Sequence, residues 1–343
     1  MSSKTKIIIL CIVFLAIGAG LGYFFEYNYN YQQTKSLISN ILPVRQNNFN
    51  YKFIYPLLRY DFGNARYYLE NKDLEQKVNS YIQQQYQNKN AESVSVYFSN
   101  LTNGQWSGVN YNDEYYPGSM AKVLVMMAYY RESQLDHSVM KKTFAYSQSI
   151  DKALHGVSPQ VTDSNLVIGQ SYTIKYLIED MIENSDDGAE LVLYLNVDKN
   201  VLNAIYEDLK IEPPSSSHYT ISAKDYVMFL KVLYNSTYLT EANSSAALST
   251  MSQSTYNDGL VAGVPSGISV AHKYGENGDI DPATKQLTST ELHDCGIIYA
   301  KEYSYALCVM TKANGVIDQK QLASIIKNIS GIVYNYVSSG EGK

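Results

Sequence analysis

The sequence predicts an α+β fold: an antiparallel sheet formed from both chain ends, flanked by helices, with an inserted all-helical subdomain. Three observations point there. Alternating apolar runs occur at 93–98 (SVSVYF) and then late in the chain, at 267–274 (GISVAHKY), 295–300 and 303–310. Residues from about 133 to 257 carry helical spacing with few strand signals. Helical patterns at 74–86 and 316–336 bracket the strands, so both termini close one sheet.

Composition narrows the function before any motif is read. Of 343 residues 45% are apolar, enough for a substantial core, and a net charge of −6 without a basic block argues against a nucleic-acid partner. Residues 7–25 (IIILCIVFLAIGAGLGYFF) carry no charge and are long enough to span a bilayer as one helix. Lys4 and Lys6 precede that run and Glu26 follows it, which predicts the N-terminus inside and the bulk of the chain outside. A cleaved signal peptide is the alternative, because 16–20 offers small residues for cleavage. Residues 1–26 therefore read as a membrane anchor, 27–50, rich in Tyr, Asn and Gln, as a spacer, and 51–343 as the folded domain.

Within the domain, 51–58 (YKFIYPLL) is apolar and expected to pack on its surface. Leu74, Val78, Tyr81 and Ile82 form a helical stripe. After strand 93–98, Asn100 to Gly104 is a turn signal, and 105–110 can return as a second strand. Helices are expected from Met120 to Tyr130, over 172–183, over 196–209, and over 223–234 with Ser222 as its cap. The last helix, 316–336, carries the stripe Ile317, Leu322, Ile325, Ile326, Ile329 and Val333. Three cysteines are too few for a disulfide scaffold. If Lys301-Glu302 is a two-residue turn, Cys295 and Cys308 face each other and a cross-strand disulfide can form; one residue of register change leaves two buried thiols instead.

The chain is organised around Pro117-Gly118-Ser119-Met120-Ala121-Lys122. Pro117 and Gly118 break the preceding segment, and Ser119 opens an apolar helix. At helical spacing Ser119 and Lys122 share a face, so an amine stands beside the hydroxyl. Serine is a weak nucleophile, and a partly desolvated lysine can take its proton. Ser-x-x-Lys is weak alone: it recurs at Ser3/Lys6, Ser138/Lys141, Ser149/Lys152 and Ser324/Lys327, and an isolated match is more often a helix cap. Two later stretches raise its weight. Ser185-Asp186-Asp187 is a polar turn between helices, with a second hydroxyl able to shuttle a proton. Lys273-Tyr274-Gly275 lies at the end of a predicted edge strand, where the glycine admits a close backbone approach. The five histidines, His137, His155, His218, His272 and His293, are scattered without ligand spacing, so neither a metal nor a cofactor is expected.

Together these stretches resemble the three motifs of the class A β-lactamases and penicillin-binding proteins, in the right order and on the right element types, over about 74–336. The resemblance implies that Ser119 is the acylated nucleophile and Lys122 its proton partner. It makes Ser185 the relay to the leaving nitrogen, and Lys273 the group that lowers local pKa values and attracts a substrate carboxylate. The main-chain N–H of Ser119, with one near Glu276 or Asn277, would form the oxyanion hole. The implied substrate is a small β-lactam or a cell-wall peptide, and the implied setting is the outer face of the membrane.

Three positions depart from the pattern. Asp187 stands where an asparagine amide is usual, and an ionised aspartate donates no hydrogen bond. Tyr274 replaces a small hydroxyl residue, and Glu276 adds a negative charge beside Gly275. Asp187 and Glu276 would repel an anionic ligand. The loop that carries a deacylating glutamate in class A enzymes is short here (207–215), with Glu212 the nearest candidate and an exposed turn glutamate the more ordinary reading of it. The expectation is therefore an acyl-enzyme that outlives its formation. The alternatives are a peptidase or esterase acting on cell-wall peptides, or a non-hydrolytic domain that senses or binds β-lactams.

Overall fold

Strand β1 (Pro43–Arg45) pairs with β2 (Leu57–Tyr60), and the chain then enters helix α1 (Lys72–Gln87). This computed structural model describes residues 43–45, 51–60, 70–157, 164–213, 219–281, 283–284 and 286–340. The expected anchor, and 27–42 and 46–50 of the expected spacer, lie outside those residues. Among the described residues no helix is long and apolar enough to cross a membrane.

The main sheet has five antiparallel strands: β3 (Ser93–Asn100), β4 (Trp106–Val109), β9 (Val270–Asn277), β10 (Ser289–Tyr299) and β11 (Ser304–Asn314). Their spatial order is β4-β3-β11-β10-β9, so both ends of the domain build one sheet, as the sequence predicts. Alternation along the strands separates two cores. On one face Phe98, Leu307, Val309 and Ile298 pack against α1 and the final helix α9 (Gln319–Ser338). On the other, Ala306, Cys308, Met310 and Ile297 meet the helical part of the molecule. Asn71 caps α1 by accepting from Leu74 N, and its amide donates to the Tyr336 hydroxyl at 2.7 Å, tying the first helix to the last.

Between β4 and β9 come β5 (Glu114–Tyr115), a 3₁₀ turn at Gly118–Ala121, α2 (Lys122–Ser133), β6 (Thr143–Ala145), α3 (Gln148–Val157) and β7 (Ser171–Thr173). Then follow α4 (Ile174–Glu183), α5 (Asp187–Asn196), α6 (Lys199–Leu209), β8 (Ile221–Ser222), α7 (Ala223–Tyr234) and α8 (Glu241–Met251). Helix α2 is buried nearly all round, as expected of a central core helix. Ser222 caps α7 by accepting from Asp225 N.

Several boundaries differ from the sequence reading, each for a local reason. Helix α6 starts at Lys199, because α5 runs on to Asn196 and Asp198 provides the cap. The strands β6, β7 and β8 are two or three residues long, too short for alternation to register. The turn between β10 and β11 spans four residues, since Tyr299 pairs with Ser304, yet it is centred where the two-residue turn would be. Cys295 therefore still faces Cys308, and the two form a disulfide in the buried sheet. With a sequence separation of 13, closing that loop in the unfolded chain contributes about 3 kcal/mol.

Residues 43–45, within the expected spacer, belong to the folded body. The Arg45 guanidinium donates to the Tyr55 and Leu101 carbonyls and to Asn235 Oδ1, and lies over the Tyr55 and Tyr234 rings. Phe53 and Ile54 enter the larger core, as the apolar run 51–58 predicts.

Candidate active site

The first motif sits on a braced turn. Tyr115 in β5 pairs with Ile221 in β8, holding the approach to Ser119 from one side. From the sheet side, His293 receives the Thr311 N–H at Nδ1, so its proton is on Nε2, which donates to the Tyr116 carbonyl at 3.0 Å. The turn then folds as 3₁₀, with Met120 N donating to Pro117 O, and runs straight into α2. No side chain caps it, so the Ser119 hydroxyl is not consumed as a helix cap.

Strand β9 lies hard against this turn. A Cβ on Gly275 would stand 2.2 Å from the Pro117 carbonyl oxygen and 3.1 Å from Met120 N. Gly118 has φ +52°, and a Cβ there would meet the Glu276 carbonyl oxygen at 2.5 Å. The two glycines let strand β9 and the Ser119 turn approach closely, bringing the Ser119 and Glu276 backbones side by side.

The second motif hangs between α4 and α5. Asp186 caps α5 by accepting from Ala189 N, and also accepts from Ser164 Oγ and Asn165 N, which ties the neighbouring loop to the site. Ser185 is buried and adopts φ +59°, a conformation that non-glycine residues seldom hold unless their surroundings impose it. That conformation presents its carbonyl to Lys122 and its hydroxyl to both Lys122 and Lys273.

Lys122 is fully buried, and its Nζ donates to Ser185 O at 2.6 Å, to Ser185 Oγ at 3.3 Å and to Asp187 Oδ1 at 2.6 Å. Asp187 thus fills its departure from the motif by ion-pairing with Lys122, a compensation that a buried ammonium requires. Lys273, also fully buried, donates to Ser185 Oγ at 2.8 Å and to Tyr274 O at 3.3 Å. Burial first, and the nearby Lys122 charge second, push the Lys273 amine well below its usual range. Those surroundings favour its neutral, basic form. Tyr274 stacks on Tyr256 with ring centroids 4.1 Å apart and lies under the Lys273 amine. Burial, then Glu276, raise its phenol, and a hydrogen bond with Ser185 opposes that rise.

The structure therefore brings Lys122, Ser185, Asp187, Lys273 and Tyr274 into one cluster next to the Ser119 turn, with Gly275 and Glu276 along its edge. Glu212 is exposed and, with Pro117, Ala121 and Tyr219, lines a small pocket against the Ser119 turn. No hydrogen bond or ion pair among the described residues joins Glu212 to Lys122 or Ser185. A different carboxylate does approach the cluster. Glu190 Oε2 lies 3.5 Å from Lys122 Nζ. The sequence signal for it was its place three residues after Asp187 on a helix, which puts both on one face. His272 takes a structural role: it bonds Asp294 Oδ1, whose other oxygen accepts from Leu260 N.

Several solved structures share this architecture. PBP-A superposes with a TM-score of 0.65 at 17% identity, covering 80% of this chain and 99% of that one. A PBP-A variant in an acyl-enzyme complex with penicillin G matches with a TM-score of 0.65 at 18% identity, over 80% of this chain and 100% of that one. The class A β-lactamase from Mycobacterium abscessus has a TM-score of 0.63 at 16% identity, covering 77% and 99%. At these identities the likeness is one of fold. No curated protein matches the chain. The sequence itself matches the profile described as the beta-lactamase enzyme family over residues 73–337, more than three quarters of its length. With the fold, the order of the motifs and the profile in agreement, the chain belongs to the beta-lactamase enzyme family.

Proposed function

We propose that this protein is a serine hydrolase of the β-lactamase type, anchored by residues 7–25 with its domain on the outer face of the membrane, and acylated on Ser119. The observation that carries the reading is the hydroxyl of Ser185 held between two buried amines, 3.3 Å from Lys122 and 2.8 Å from Lys273, beside the Ser119 turn. In the proposed sequence, Lys122 passes a proton to Ser185 Oγ as Ser185 passes its own to Lys273. Lys122, now neutral, takes the Ser119 proton as Oγ attacks the acyl carbon. The charge on Lys273 then supports protonation of the leaving nitrogen through Ser185. The backbone N–H groups of Ser119 and Glu276 receive the oxyanion.

Deacylation is proposed to be the slow step, because among the described residues Glu212 makes no hydrogen bond or ion pair with the cluster. General-base assistance is typically worth about 10²–10⁴-fold, or about 3–5 kcal/mol on the hydrolytic barrier. Nitrocefin should then give a stoichiometric burst followed by slow turnover, with little change in Glu212→Gln. Sustained turnover without a detectable adduct, abolished by Glu212→Gln, would contradict this reading. Protease added to intact cells should digest the domain; full protection would overturn the orientation.

A second reading, a peptidase or esterase acting on cell-wall peptides, is favoured by Asp187 and Tyr274. Asp187 adds a negative charge to the cluster through its ion pair with Lys122, and the Tyr274 ring, stacked on Tyr256, lies beside the Lys273 amine, so both crowd and charge the site against an anionic β-lactam. A PBP-A variant of the same fold forms an acyl-enzyme with penicillin G, so the two readings share the acylation step and differ in the acyl donor.

A further inference from the structure

We propose that Glu190, on α5, is the base that directs water onto the Ser119 acyl-enzyme; this rests on the reading that Ser119 is acylated. Three features single it out. Its Oε2 lies 3.5 Å from Lys122 Nζ, so it belongs to the same charge cluster as the lysine one helical turn beyond Ser119. Its side chain keeps 30% of its surface open to solvent, whereas Lys122 has none, so water can reach the carboxylate without displacing the lysine. It is also the less committed of the two carboxylates on Lys122, because Asp187 holds the ammonium at 2.6 Å. Burial raises the Glu190 carboxyl above its ordinary value, which strengthens it as a proton acceptor, and Lys122 partly offsets that rise.

The step balances within the cluster. A water oxygen bonds to the acyl carbon while its proton moves to the Glu190 carboxylate. The tetrahedral oxyanion collapses, the carbon–Oγ bond of Ser119 breaks, and Ser119 Oγ takes a proton from the Lys122 ammonium. Glu190 then returns its proton to Lys122, and the product leaves as the acid. The partial ion pair with Lys122 weakens Glu190 as a base, so hydrolysis remains slower than acylation without being unassisted.

The test is an intact-mass chase after acylation with penicillin G, on wild type, Glu190→Gln, Glu190→Asp and Glu212→Gln. Glu190→Gln should lower the ratio of adduct decay to acylation by about 10²-fold, with Glu212→Gln matching the wild type. The wild-type decay rate should fall as pH drops through the raised Glu190 pKa, and that acid limb should vanish in Glu190→Gln. Glu190→Asp, which retracts the carboxylate, should slow decay by about tenfold while keeping the limb. It decides the question if Glu190→Gln does not acylate. Decay of either variant's adduct at the wild-type rate, or an acid limb that survives in Glu190→Gln, overturns the proposal alone. Absence of any Ser119 adduct in the wild type overturns the acyl-enzyme reading instead.

Discussion

Replacing Gly275 by alanine tests whether the contact between β9 and the Ser119 turn sets the oxyanion hole. The added Cβ would stand 2.2 Å from Pro117 O, and real Cβ contacts essentially never fall below 3.0 Å, so strand and turn must separate by about 0.8 Å. The added Cβ is fixed to the β9 backbone and Pro117 O belongs to the turn's backbone, so no side-chain rotation relieves the clash. Overpacking of this kind destabilises by about 1–3 kcal/mol. The catalytic effect should fall at the upper end of that range, because the same displacement moves the Glu276 N–H away from the Ser119 N–H. A misplacement near 1 Å reduces rate by about 10²-fold, equivalent to about 2.7 kcal/mol on the barrier. Stopped-flow acylation with nitrocefin gives the rate, and urea unfolding gives the stability. Acylation within about threefold of wild type in a folded Gly275→Ala protein would refute the reasoning, since it would show that the gap between β9 and the turn does not govern the chemistry.

Two further outcomes follow from the charges in the cluster. Lys273 has a folded-state pKa well below its ordinary 10.5, so in the window between those values the unfolded chain binds a proton that the native state does not, and stability must rise with pH there. Lys273→Met should flatten that slope on the alkaline side just below pH 10.5 in urea unfolding, and equal slopes in both proteins would contradict the assignment. Asp187→Asn keeps an acceptor for Lys122 and removes a negative charge, so acylation by an anionic penicillin should gain about tenfold over acylation by a neutral ester; an equal change for both ligands would show that Asp187 does not select by charge.

The parts of the site that were legible in the sequence are those encoded at short range. Ser119 and Lys122 are one helical turn apart, and Lys273 and Gly275 share a strand, so spacing alone predicts their relation. The register of the β10–β11 pair was readable because an error in turn length that preserves its centre leaves Cys295 opposite Cys308. Glu190 was not singled out, because its importance depends on which way α5 faces, and three-residue spacing from Asp187 acquires meaning only once Lys122 reaches across from α2. The attachment of residues 43–45 was hidden in a polar stretch, since one arginine makes the contacts and carries no periodic signal. Ser185 was legible as a residue but not as a conformation: its positive φ is imposed by the packing of α4, α5 and both lysines. The roles of His272 and His293 likewise come from partners across the sheet and turn.

The central claim is that Ser119 is the acylated residue. Peptide mapping by mass spectrometry, after brief exposure to penicillin G and in parallel to a neutral activated ester, tests it most directly. The account predicts one acyl group per chain from at least one of the two reagents, carried on the peptide containing Ser119 and absent from Ser119→Ala. Acylation of Ser119→Ala to the same extent, or a wild-type adduct mapped to another residue, would contradict it.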